Sequence, residues 1–227
     1  LTRTSKGRIG DSTMTQLQSD YTNSFNWGGK KHDILAGVDY YHDDANRNSS
    51  YANAAGNSSA TNGLGTTVGT PNNGAWAPDM RAPVAYNTFK AQNIGLYLQD
   101  TMSLNSAIKL VGGLRYDQFK ASYRNANGSL SDETSDGLWS PRVGVLFQPD
   151  ELASYYVSYG SSFNTSADTY QFGSVNANTG SLADTPPEKS RNFEIGGKWE
   201  LFERRALLCV AAFYSEKFNE RNTDPDN

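Results

Sequence analysis

The chain has 227 residues, enough for one substantial domain or two small ones, and it is 37% hydrophobic and 19% charged, with a mean hydropathy of -0.65. No run of about 18 apolar residues occurs, which excludes a transmembrane helix. The net charge of -4 argues against nucleic acid as a partner, because contacts with phosphate require a basic surface.

Alternation of apolar and polar residues predicts eight β-strands along the chain. In chain order the predicted strands are residues 12–26, 32–48, 88–103, 107–122, 138–149, 153–163, 188–201 and 205–220. The predicted connections are alternately tight turns and long loops, with turns at 27–31, 104–106, 150–152 and 203–204 and loops at 49–87, 123–137 and 164–187. Successive connections of an up-and-down sheet fall on opposite ends, so the long loops should share one end. Transmembrane β-barrels show this asymmetry.

The predicted strands carry apolar side chains on one face and polar side chains on the other. The side chains predicted to face lipid are Leu96, Leu98, Leu110, Leu114, Val143, Val145, Ile195 and Leu208. The opposite face carries the charges Lys109, Arg115, Asp117, Arg142, Glu194 and Lys198, which we expect to form a cross-strand ladder or to contact another domain. A soluble β-sandwich also alternates, but strands of roughly 11 to 17 residues exceed the usual length of about 5 to 6.

Few residues suggest an enzyme. The lone Cys209 is predicted to be a small buried strand residue rather than a nucleophile. His32 and His42 have no evident partner base and nucleophile, so a catalytic triad is not expected. Residues 63–69 are glycine-rich, but their spacing does not fit a dinucleotide fingerprint, and we expect a flexible loop there.

A cluster of acidic residues and one histidine does not predict a metal site. Asp39, Tyr41 and Asp43 share one strand face, whereas His42 and Asp44 point to the other. One strand therefore cannot bring them onto one ion, and we expect no metal ligands here.

Five segments, in order and at hairpin spacing, resemble one known family. They are NIGLYLQD at 93–100, LVGGLRYD at 110–117, SPRVGV at 140–145, YYVSYGSSF at 155–163 and PEKSRNFEIGGK at 187–198. Together they resemble the barrel of TonB-dependent siderophore receptors, especially the ferrichrome-type and catecholate-type branch. The resemblance covers essentially the whole chain and is strong from residue 93 to residue 222.

The resemblance implies a 22-stranded barrel in the bacterial outer membrane with an N-terminal plug domain, importing ferric siderophores with energy delivered through TonB. We therefore expect residues 1–227 to be part of a single barrel domain, an antiparallel, open-edged, curved sheet of about eight strands. Leu1 is not an initiator methionine, and we expect a piece of a longer protein, with the TonB box, the plug and the C-terminal strands outside it. The expected partners are ferric siderophore, TonB, outer-membrane lipid and lipopolysaccharide, with no cofactor bound directly.

The first long loop contains the strongest candidate ligand site. Residues 49–87 include only two charged residues, Asp79 and Arg81, and the cation lies between Trp76 and Tyr86. A ferric siderophore is bulky and often anionic, so its site needs flat aromatic faces and cationic or hydrogen-bonding groups. The alternative is an ordinary outer loop whose aromatic side chains pack on the rim.

A second aromatic pair, Tyr170 and Phe172, lies in the loop at 164–187 and has the same two interpretations. A soluble or cell-surface β-sheet module that binds carbohydrate or protein through these loops is the alternative function. Partition of the full-length protein between membrane and aqueous fractions would separate the two.

Overall fold

The computed structural model of the chain describes residues 2–4, 9–48, 61–65, 69, 86–164 and 186–219. The strands in these ranges are β1 (Thr2–Thr4), β2 (Ile9–Trp27), β3 (Lys30–Asn48), β4 (Thr61–Gly65), β5 (Asn87–Ser103), β6 (Ile108–Arg124), β7 (Leu130–Phe147), β8 (Ala153–Asn164), β9 (Glu188–Leu201) and β10 (Ala206–Phe218). Within the same ranges, no helix has the length and apolar character needed to cross a membrane.

Eight strands form one antiparallel sheet in the order β10-β9-β8-β7-β6-β5-β3-β2. Within this sheet the strands follow chain order, and β3 pairs directly with β5. The intervening β4 pairs with β1 in a separate two-stranded sheet. β2 and β10 lie at the two edges, and the sheet is not closed. The predicted fold class, an open eight-stranded antiparallel sheet, is confirmed.

The short turns lie together at one end of the sheet, called here the turn end; the opposite end is the loop end. Gly28 and Gly29 connect β2 to β3 with φ angles of 58° and 73°, a left-handed pair that glycine adopts without strain. The Lys30 ammonium donates to the Leu104 carbonyl at 2.6 Å, which joins the first two turns. The later turns meet through the ion pair of Arg204 with Glu151 at 2.8 Å.

The predicted loop at 123–137 is wrong, because most of it is strand. β6 continues to Arg124 and β7 begins at Leu130, so only residues 125–129 connect them. Gly128 takes a φ of 82° in this turn, and its N–H donates to the Asn125 carbonyl at 2.8 Å. The first half of β7 is polar on both faces, so apolar alternation gave no sign of it.

Two further predictions need correction. Residues 61–65, predicted as part of a flexible loop, form β4, because they pair with β1. Cys209, predicted to be buried, is exposed. It lies on β10, and an edge strand has a neighbour on one side only, so little covers the residue.

The strand register separates the side chains onto two faces. We call the face that carries Leu96 and Val145 the outer face, and the face that carries Arg115 the inner face. All eight side chains predicted to face lipid share the outer face in this register. Leu96, Leu98 and Val143 are 54%, 54% and 56% exposed, which is unusual for apolar residues of a water-soluble sheet.

Candidate functional site

The inner face lines a groove of about 1010 Å³, and an arginine network forms one of its walls. Asp39 on β3, Gly95 on β5 and Asp117 on β6 lie side by side across three strands. The Arg115 guanidinium lies between the two carboxylates, donating through Nη1 to Asp39 Oδ2 at 2.5 Å and through Nε to Asp117 Oδ2 at 2.7 Å. Asn93 Nδ2 also donates to Asp117 Oδ1, at 2.8 Å. Such charge-assisted bonds hold the guanidinium in one place.

Glycine at the middle strand makes this crossing possible. A Cβ atom added at Gly95 would overlap the Arg115 guanidinium and lie 2.8 Å from Asp39 Oδ1. The neighbouring row repeats the arrangement: the Tyr97 ring lies over Gly37, where a Cβ atom would overlap it. The Tyr97 hydroxyl then donates to the carboxylate of Asp20 on β2. In both rows, a long polar side chain therefore extends over a glycine on the adjacent strand and binds a carboxylate on the strand beyond it.

The other wall, formed by β7, β8 and β9, is lined by hydroxyl and amide groups. Its groove-lining polar residues include Ser140, Arg142, Tyr156, Ser158, Ser162, Asn164, Ser190 and Asn192. The hydroxyls of Ser162 and Ser190 are hydrogen-bonded at 2.6 Å. This wall contributes no carboxylate to the groove lining, whereas the arginine network contributes Asp39 and Asp117.

The predicted ladder of inner-face charges is confirmed in part. Arg115 pairs with Asp117 and Asp39, and Glu194 accepts a hydrogen bond from the Tyr156 hydroxyl. Among the described residues, Lys109, Arg142 and Lys198 have no ion pair. The signal for the network is a glycine that pairs with an aspartate on each neighbouring strand, with an arginine two residues before one of them, and it becomes visible only when the register is known.

Aromatic side chains form two groups on the outer face. Near the turn end, the indole N–H of Trp199 donates to the Tyr155 hydroxyl at 3.0 Å, and the Tyr155 ring stacks on Phe147 with centroids 6.1 Å apart. Farther along the sheet, Trp139 packs on Tyr116 with centroids 4.7 Å apart. Trp139 and Phe147 are separated along β7 by about 26 Å at ~3.3 Å per residue. Allowing for strand tilt, this is comparable with an apolar band of about 25 Å between two aromatic girdles.

His32 has a partner that the sequence did not reveal. Its Nδ1 lies 2.7 Å from Asp100 Oδ2 on the outer face, and its ring stacks on Phe25 with centroids 5.5 Å apart. Asp100 is thus a carboxylate partner of His32 that was not evident from the sequence, because pairing β3 with β5 brings residues distant in sequence together. No group of three or more potential metal ligands occurs among the described residues.

The predicted loop site is only partly covered by the structure. Tyr86 lies directly before β5, at the loop end, and is 37% exposed. Trp76, Arg81, Tyr170 and Phe172 lie outside the described residues. The proposed convergence of these side chains therefore stays a prediction.

The comparison with known families gives the class of protein. A family model described as "TonB dependent receptor-like, beta-barrel" matches residues 2–227. The chain belongs to this family, whose members are β-barrels of the bacterial outer membrane. Its named relatives are receptors and transporters.

Individual relatives match the chain at moderate identity. It is 30% identical over 144 residues to the probable TonB-dependent receptor BfrD of Bordetella pertussis, covering 60% of the chain and 19% of that relative. It is 25% identical over 234 residues to the metal-pseudopaline receptor CntO of Pseudomonas aeruginosa, covering 95% of the chain and 29% of that relative. The chain therefore spans less than a third of the length of these proteins.

A solved structure shows the same fold. The closed form of the ferric-catecholate import receptor Fiu from Escherichia coli K12 matches with a TM-score of 0.73 and 21% identity, covering 96% of the chain and 33% of that receptor. The described sheet thus has the architecture of a consecutive part of a receptor barrel.

Proposed function

We propose that the full-length protein is an outer-membrane receptor that imports ferric siderophores with energy delivered through TonB. The observation that carries this proposal is the two-faced sheet, which exposes apolar side chains outside and places a polar groove inside. A lipid-facing wall around an aqueous interior requires this distribution. The name of BfrD supports dependence on TonB, that of CntO supports binding of a metal chelate, and that of Fiu supports import of ferric complexes.

In this proposal, residues 1–227 supply about a third of one barrel domain. A plug domain encoded elsewhere in the protein fills the inner face, and further strands pair with the exposed edges of β2 and β10. TonB acts on the N-terminal region of the receptor, outside this chain. The role is transport and not catalysis, and no cofactor is held by the chain itself.

The ligand would first meet the loop end of the sheet. Trp76, Arg81 and Tyr86 are proposed to contact a ferric siderophore, with Tyr170 and Phe172 as a second pair. The exposed position of Tyr86 beside the start of β5 supports this placement. The iron travels as part of the chelate, because oxygen donors of the siderophore already occupy its coordination positions.

Lipopolysaccharide is the proposed lipid partner at the loop end of the outer face. Basic side chains on this face include Lys90, Lys120, Arg124, Lys189 and Arg191. Lys189 and Arg191 lie over the rings of Phe163 and Phe218, at 5.3 Å and 4.8 Å from the centroids. Cations next to aromatic rings at a membrane boundary can bind lipid phosphates while their stems cover apolar surface.

Uptake of radioactive iron by cells tests the transport proposal. A strain without its own siderophore receptors should accumulate iron from a ferric siderophore only when it expresses the full-length protein and has functional TonB. A matched strain that lacks TonB should bind the complex at its surface without accumulating iron. Failure to bind any member of a panel of catecholate and hydroxamate complexes would contradict the proposal.

The alternative, a soluble or cell-surface binding module, predicts another result in fractionation. Recovery of the full-length protein in the aqueous fraction without detergent would favour the module. Recovery in the outer-membrane fraction, with extraction only by detergent, is the result expected for the receptor.

A further inference from the structure

A carboxylate lies on the outer face of the sheet, close to the turn end. Asp100 shares this face of β5 with Leu96 and Leu98, and its side chain is 34% exposed. It precedes Ser103, the last residue of β5, by about 10 Å along the strand. A charged side chain on a lipid-facing surface is costly unless it has a partner, so its presence there indicates a binding role.

The protein uses only part of the hydrogen-bonding capacity of this carboxylate. The buried His32 ring stacks on Phe25, and His32 Nδ1 lies 2.7 Å from Asp100 Oδ2. Among the described residues, Asp100 Oδ1 has no hydrogen-bond partner, and no lysine or arginine pairs with the carboxylate. An ionised carboxylate offers about four acceptor positions. Asp100 can therefore accept hydrogen bonds from a cation that comes from outside the sheet.

The space beside Asp100 is open. Gly112 on β6 pairs with Asp100, and an atom placed at its Cβ position would have no neighbour within 4 Å. Leu110 and Leu114 flank Gly112 on the same face, and Val143 pairs with it on β7. Asp100 and Gly112 thus form a notch with one carboxylate wall and an apolar rim, called here the Asp100 notch.

An apolar strip leads from the Asp100 notch toward the middle of the sheet. Leu98 and Leu96 follow at alternate positions away from the turn end, and each is 54% exposed. A phospholipid in the leaflet at the turn end has the same order, with its head group toward the turns and its acyl chains toward the bilayer centre. The short turns of an outer-membrane barrel are periplasmic, so this leaflet is the inner one.

The chemistry of a carboxylate selects among phospholipid head groups. A primary ammonium carries a positive charge and three N–H donors, and its hydrogen bonds to a carboxylate are charge-assisted. A trimethylammonium group has the charge but no N–H, and a glycerol head group has no positive charge. The carboxylate of Asp100 therefore favours the primary ammonium over both.

We propose that the Asp100 notch binds the head group of an inner-leaflet phospholipid that carries a primary ammonium, with Asp100 as its acceptor. His32 is a positioning residue that holds the carboxylate beside the open space. The inference goes beyond the proposed transport function, because it requires only that the barrel lies in the outer membrane. The site is separate from the proposed lipopolysaccharide contacts, which lie at the loop end.

The test compares three lipids with the same acyl chains on the full-length receptor in detergent. Native mass spectrometry measures the dissociation constants of phosphatidylethanolamine, phosphatidylcholine and phosphatidylglycerol. Wild type should bind phosphatidylethanolamine about tenfold more tightly than the other two. Asp100→Asn should weaken this binding about tenfold, because the amide keeps the shape of the side chain but loses its charge. Gly112→Val should weaken it similarly, because the new side chain would occupy the open space.

Asp44→Asn is the matched control, since it removes an outer-face carboxylate at the loop end, where Lys90 pairs with it at 2.9 Å. It should leave all three affinities unchanged. Equal affinities of wild type for the three lipids would overturn the proposal, as would unchanged binding of phosphatidylethanolamine in Asp100→Asn. An equal loss for phosphatidylethanolamine and phosphatidylcholine in Asp100→Asn would also overturn it, because the site would then not distinguish the two head groups.

Discussion

The outer and inner faces of this sheet differ in the kind of side chain that they carry. The outer face leaves the apolar side chains of Leu96, Val143 and Ile195 about half exposed. The inner face places Arg115 between the carboxylates of Asp39 and Asp117 in a bonded network. The difference shows that the two faces are built for different solvents, because neither arrangement is favourable in the environment of the other.

The largest effect is expected from removing the cation of the network. Arg115→Met should lower the free energy of unfolding of the full-length receptor by about 3 to 5 kcal/mol, because Asp39 and Asp117 would remain partly buried without a counter-charge. Urea titration in lipid vesicles measures this value. Lys198→Met, which removes an exposed and unpaired cation from the same face, should cost less than about 1 kcal/mol. Similar losses of unfolding free energy in Arg115→Met and Lys198→Met would show that the network stabilises the receptor no more than an exposed lysine does.

A lysine introduced on the outer face should destabilise the receptor more than a lysine introduced on the inner face. Val145→Lys should cost about 2 to 4 kcal/mol, because it places an ammonium on the lipid side. Gln148→Lys, on the inner side of the same chain segment, should be nearly neutral. The same vesicle titration compares the two, and equal costs would contradict the assignment of faces.

A smaller effect is expected from filling the space beneath the arginine. Gly95→Ala should cost about 1 to 3 kcal/mol, because the new methyl group would overlap the Arg115 guanidinium. Gly160→Ala is the matched control, since its methyl group would lie 4.0 Å from Arg142 Cβ, an ordinary contact. Comparable melting temperatures for the two variants would mean that the network of Arg115 does not require the open space above Gly95.

The smallest expected change concerns β7 and β8, whose pairing ends at Arg142 and Gly160 although both strands continue toward the loop end. Pro141→Ala restores an N–H that faces Ser161 and should allow one more ladder bond, worth about 0.5 to 1.5 kcal/mol. Hydrogen exchange measured by mass spectrometry should show slower exchange in the peptide that contains Ser161. Unchanged exchange there would show that the proline does not end the pairing.

Alternation along the sequence was sufficient to predict the sheet, its eight strands and its two faces. It failed for the first half of β7, where Asp132, Glu133 and Asp136 leave no apolar face to detect. It also failed for the Arg115 network and for the pair of His32 with Asp100, because both depend on register between distant segments. The loop residues proposed to bind ligand rest on composition and resemblance, and neither determines where their side chains converge.

Measuring the environment of alternate residues on one strand tests the two-faced wall most directly. Single nitroxide labels at positions 96, 97, 98 and 99 of the full-length receptor in lipid vesicles would be examined by electron paramagnetic resonance with oxygen and a water-soluble nickel complex as relaxing agents. Positions 96 and 98 should collide mainly with oxygen, because Leu96 and Leu98 lie on the outer face. Positions 97 and 99 should show little contact with oxygen. Equal access of the nickel complex to all four positions would contradict a lipid-facing outer surface and, with it, the receptor assignment.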